Sequence, residues 1–162
     1  MTRDELFLLV SKDDRDAANF LCAIVDVLHV WDDLIDQDSN LTLNAINGAF
    51  TAALIGLPNN PFYAKHFQVL NPILLSAINN WHVANVLENG SSEADKRIAF
   101  ISRSSYIDLI TQVAYIVGGH EWVMHVGPDI RRFAHGEGWE GYLQNLKQEQ
   151  DERALRQGKT KG

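Results

Sequence analysis

Helix-start signals recur along this chain, most followed by an apolar run and a stop. Thr2 and Glu5 form a capping box ahead of residues 6–10, the hydroxyl and carboxylate each satisfying a backbone N–H left open by the first turn. Asp13 is placed to cap a second helix that runs to about Asp36 and breaks at Gln37-Asp38-Ser39-Asn40. Thr42 caps a third, closed by Gly56-Leu57-Pro58, and Asn59-Asn60-Pro61 opens a fourth with proline at a tolerated first-turn position. Pro72 begins or kinks the segment 73–88, which Asn89-Gly90 closes as a left-handed cap. Ser92 caps a long helix through Val117, ended by Gly118-Gly119. Residues 120–126 fit a short strand or an irregular link, and periodicity does not decide between them. Pro128-Asp129 starts a short helix ending near Gly136, and residues 139–156 suit a last one. The pattern predicts an all-α fold, a single-domain helical bundle of about six or seven helices. The helical domain covers 1–146, and a polar C-terminal tail, 147–162, frays or projects into solvent.

Length and composition narrow the functional classes. A chain of 162 residues buries roughly 70% of its unfolded surface as one domain. No apolar run approaches the ~18 residues of a membrane span, because Asp108 interrupts the best candidate. The opening Met-Thr-Arg-Asp-Glu lacks the plan of a secretory signal, and the single Cys22 fits a reducing cytoplasm. The net charge of −7 comes entirely from residues 1–50, with ten Asp/Glu against three Lys/Arg; residues 51–162 balance eleven against eleven. An acidic half repels phosphate backbones, so direct nucleic-acid binding is not expected.

Residues 26–38 hold five aspartates and a histidine on one helix without a Lys or Arg. On a helical wheel Asp26, His29, Asp32, Asp33 and Asp36 share about a third of the circumference, with Asp32 and Asp36 one turn apart. Aspartate is a poor helix former and like charges repel, so something cationic must offset this face. A hard divalent cation, Mg²⁺ or Mn²⁺, bound through oxygen would do so, the alternative being a solvated face. Glu88, with Asn80 or Asn85, is the candidate opposing ligand; a structural hydrogen-bond network is the other account of those residues. That helix is apolar around every side and is expected to be central and buried. His120 and His125 lie five apart, so both imidazoles cannot reach one zinc from one helix face.

Asp32-Asp33-Leu34-Ile35-Asp36 resembles the DDxxD aspartate-rich motif of isoprenoid (terpenoid) synthases. The resemblance implies an all-α fold and aspartates that hold Mg²⁺ against a substrate diphosphate. Asn80 and Glu88 match the outer positions of that family's second metal motif, with Ala84 where Ser/Thr is expected. Arg97, Arg103, Arg131 and Arg132 are the basic residues open to clamp a diphosphate. In size and in its acidic helix the chain is also similar to all-α nucleotide pyrophosphatases, and in texture to small uncharacterised tailed-phage proteins. Two functions are therefore expected. One is Mg²⁺-dependent handling of a phosphate or diphosphate ester, with no nucleophile or base assigned. The other is a non-enzymatic helical assembly or adaptor protein that binds a protein partner or a second copy.

Overall fold

The computed structural model describes residues 1–160, the side chain of Thr160 excepted. Every regular element among the described residues is helical. In order they are α1 (Arg3–Val10), α2 (Arg15–Asp36), α3 (Leu43–Thr51), a π-helical turn (Ala52–Gly56), α4 (Leu57–Asn59), α5 (Pro61–Glu88), α6 (Glu93–Ser102), α7 (Ile107–Ala134) and α8 (Gly138–Thr160). No helix among them is long and apolar enough to cross a membrane.

The caps explain most boundaries. Thr2 and Glu5 close the capping box on α1, and Thr42, Asn60 and Ser92 each accept a backbone N–H at the start of their helices. The cap of α2 is Asp14 rather than Asp13, its carboxylate accepting the Ala17 N–H at 3.1 Å. Asp13 has φ 62°, a left-handed conformation that its short polar side chain tolerates but that no N-cap adopts. Asn89 ends α5 in right-handed conformation, so the expected left-handed cap is absent there.

Four boundaries differ from expectation, one of them Pro128, which lies inside α7 instead of starting a helix. Pro72 neither begins nor ends a helix; it sits inside α5, which runs unbroken from Pro61. Residues 120–126 are helix, the second limb of α7 after a bend at Gly119 (φ 73°, ψ −170°), a conformation natural only to glycine. The helix expected from Ser92 to Val117 is cut at 103–106, where the Ser105 hydroxyl donates to the Ser102 carbonyl at 2.6 Å and competes with helical bonding.

The core lies among α1, α2, the first half of α5 and α7, with Phe7, Phe20, Leu21, Ile110 and Val113 sealed from solvent. Phe20 stacks on Tyr63, while Trp31 meets Trp81 edge-on, so α5 runs parallel to α2. Chain direction reverses in between: α3 to α4 returns along α2 until the Asn60 amide donates to the Asp16 carbonyl at 2.9 Å. Tight packing at the bend of α7 makes a test. A Cβ on Gly118 would stand 2.5 Å from Trp122 Cβ, and that ring is anchored by its N–H on the Val10 carbonyl at 2.8 Å. Gly118→Ala should therefore cost about 1–3 kcal/mol in urea unfolding, since the clash falls on a fixed group. A neutral substitution would show that α7 slides freely on α1.

The polar segment from Lys147 also differs from expectation. It continues α8 and packs back, with Gln150 donating to the Glu88 carbonyl at 3.4 Å and Arg156 to the Gln37 carbonyl at 2.6 Å. The end of the expected tail, Lys161 and Gly162, lies outside the described residues.

Candidate functional site

The positive charge that residues 26–38 lack arrives from three distant arginines. Arg3 of α1 pairs with exposed Asp26. Arg103, from the turn that cuts α6 from α7, stands 3.6 Å from an Asp32 oxygen and donates to Glu88 at 2.7 Å. Arg153 of α8 donates to Asp36 at 2.8 Å. The acidic face thus meets counter-charge from α1, α8 and the turn before α7 rather than being left as one solvated stripe.

Arg103 is the hub. Glu88 is only 6% exposed, and the oxygen that takes the Arg103 bond also accepts the Tyr142 hydroxyl at 3.0 Å. Asp32 accepts the Trp81 indole N–H at 3.1 Å on its other oxygen. Burial pushes the Asp32 carboxyl up to about 6 despite the pull of Arg103, with Asp36 adding repulsion. Burial also lowers Arg103, but the facing Glu88 and Asp32 more than offset it, and its pKa is raised. Burial and the facing Glu88 likewise raise the Tyr142 phenol, so it stays a donor.

Two concavities meet at Asp32. One, of about 220 Å³, lies beside His29, Trp81, Arg103 and Tyr106. The other is an acidic cleft of about 280 Å³ between the end of α2 and α8. Its walls carry Asp32, Asp33, Asp36 and Asp38 on one side and Glu149 and Glu152 on the other, with Arg156 among them. Crowding shows in the titration: burial first, then Asp36, lifts Glu149 to about 7, and burial with Asp38 raises Asp33.

Of the six residues expected to hold a metal, Asp32, Asp33 and Asp36 share the cleft, while Asp26 and His29 do not line it. His29 lines the neighbouring cavity, and its pKa is lowered by desolvation and by Arg3. Glu88 faces Arg103 instead of an ion, and Asn80 donates to Ser105 at 3.1 Å. Among the described residues no three His, Cys, Asp or Glu side chains converge as a ligand set for a metal ion. The other candidate arginines are engaged elsewhere: Arg97 with Glu93 and over the Trp139 ring, Arg131 with Asp108, Arg132 with Asp129. Glu149 and Glu152 lie in a segment whose sequence reads as a solvated tail; the available signal is two glutamates one helical turn apart. No family model, curated protein or solved structure matches the chain.

Proposed function

We propose that the cleft between α2 and α8 takes a phosphate- or diphosphate-bearing ligand together with Mg²⁺ or Mn²⁺. One observation carries this: carboxylates suited to a hard cation and guanidiniums suited to phosphate oxygens line or edge the same cleft. Asp32 and Asp36 would hold the ion, with Asp33 beside them and Glu149 and Glu152 opposite. Mg²⁺ is commonly bound by one or two carboxylates and completes its shell with substrate phosphates and water. An incomplete protein ligand set is therefore enough when ion and phosphate arrive together. When bound, the metal supplies charge neutralisation of the phosphate oxygens. Arg156, now on backbone carbonyls, lines the cleft, and Arg153, now on Asp36, stands at its edge; these two would take those oxygens. No nucleophile or base is assigned, so the proposal is one of ligand binding.

The test is thermal melting with Mg²⁺ alone, pyrophosphate alone and both together. We expect a rise of about 5–10 °C with both in the native chain, from about 2.7 kcal/mol at a hundredfold excess over Kd. Asp32→Asn/Asp36→Asn should lose that rise. An equal response in the variant, or none in the native chain, sinks the proposal. A second reading, the helical assembly or adaptor protein, is favoured by a different observation, the outer surfaces of α3 and α5, which between Asp38 and Glu88 carry Lys65 as their one charge.

A further inference from the structure

The turn that cuts α6 from α7 brings Arg103, Ser104 and Tyr106 to the cavity of about 220 Å³ beside Asp32. Helix α2 adds His29, and the turn after α7 adds exposed Glu137. These groups are not spent on the protein. Among the described residues the His29 imidazole and the Ser104 and Tyr106 hydroxyls have no hydrogen-bond partner, and none of them is sealed from solvent. Glu137 accepts the Asn145 amide at 3.0 Å on one oxygen and forms no ion pair among the described residues. The charge of Arg103, by contrast, is already divided between Glu88 and Asp32. The cavity therefore offers two hydroxyls that donate and accept, a carboxylate that accepts, and an imidazole that does either. Desolvation lowers the pKa of that imidazole and so keeps it neutral near pH 7. The remaining wall is apolar and fixed: Trp81 is buried, with its N–H on Asp32 and its ring edge-on to Trp31 at 5.3 Å.

We infer that this cavity binds a planar, fused-ring nitrogen heterocycle whose edge carries both N–H donors and ring-nitrogen acceptors. An apolar wall with a few convergent polar groups is how small-molecule sites are built. Aromatic rings at Trp81 and Tyr106 favour a flat, aromatic occupant over a branched one. Volume sets its size. A cavity of about 150 Å³ admits benzene, so this one has room for two fused rings, about ten non-hydrogen atoms, and none for a long chain. The free groups set its edge. A ring without nitrogen would strand all of them, and one that only donates would leave the hydroxyl protons without an acceptor. An anionic ligand is disfavoured, because Glu137 is uncompensated and Arg103 is taken. The inference goes beyond the phosphate reading and does not rest on it: the two concavities share only Asp32, and this ligand needs neither metal nor phosphate.

The experiment is titration calorimetry of the full chain with 2-aminobenzimidazole, without metal or phosphate. Indole, a fused ring with an N–H but no ring-nitrogen acceptor, is the comparison ligand, and Ser104→Ala/Tyr106→Phe is the variant. Because neither hydroxyl has a partner in the protein, the variant should melt within about 2 °C of the native chain. For 2-aminobenzimidazole we expect a Kd of about 0.1–1 mM in the native chain, in keeping with a ligand of this size. Indole should bind at least about tenfold more weakly, and the variant should lose at least about tenfold for 2-aminobenzimidazole. No saturable binding by the native chain, equal affinity for indole, or the same Kd in the variant each overturns the inference. A variant that melts far below the native chain overturns it too, since the hydroxyls would then be spent on the fold. None of these outcomes bears on the pyrophosphate melting test, so the two readings fail separately.

Discussion

Replacing Arg103 by methionine should lower the free energy of unfolding by about 3–5 kcal/mol, the cost of stranding a buried charge. Glu88 is 6% exposed and would keep only the Tyr142 hydroxyl and no cation. Asp32 would keep the Trp81 N–H but lose the charge that opposes its burial. For a chain of this size the loss corresponds to a fall in Tm of about 10 °C. Adding Glu88→Gln to the methionine variant should recover part of the loss, because a neutral amide leaves no unpaired charge. The measurement is urea unfolding of the four members of the cycle at pH 7.5. A loss below about 1 kcal/mol would mean that Glu88 reaches water without its guanidinium.

Acidification to about pH 5 should stabilise the protein. Asp32 and Glu149 titrate near 6 and 7 in the folded chain and nearer 4 when unfolded, so the folded state holds their protons more tightly. Stability therefore falls as pH rises from about 4 through 7 and levels off near 8, the reverse of a carboxylate stabilised by a salt bridge. After discounting half-exposed Glu149 for solvent screening, the change should be about 2 kcal/mol between pH 5 and pH 8. Glu149→Gln should flatten the curve and raise the urea midpoint at pH 8. A midpoint that climbs from pH 5 to 8 in the native chain would show that the cleft does not resist ionisation.

The helix starts were legible because their signals are local. Thr2 with Glu5, Thr42, Asn60 before Pro61, and Ser92 all act within one turn. The cut at 103–106 was not legible, since Arg-Ser-Ser-Tyr continues an acceptable helical sequence and only Ser105 bonding back to Ser102, with Asn80 on it, interrupts the run. The aspartates of the candidate site were visible in the sequence, but their counter-charge was not. Arg3 lies 23 residues before Asp26 and Arg153 lies 117 after Asp36, and no local pattern links residues so far apart. The even spread of apolar residues around α5 implied a central helix; instead one side is buried and the other lies open. Periodicity reports that both sides are greasy, and cannot tell whether the second greasy side is met by this chain or another.

The clasp between Asp36 and Arg153 also orders events in time. A ribosome adding about 5–20 residues per second needs on the order of 10 s to travel from one to the other. Through that interval Asp36 lacks its guanidinium, and only Arg103, beside Asp32, offsets the crowded carboxylates at the end of α2. A product cut short within α8 could gather its oily interior but would have no closed acidic cleft.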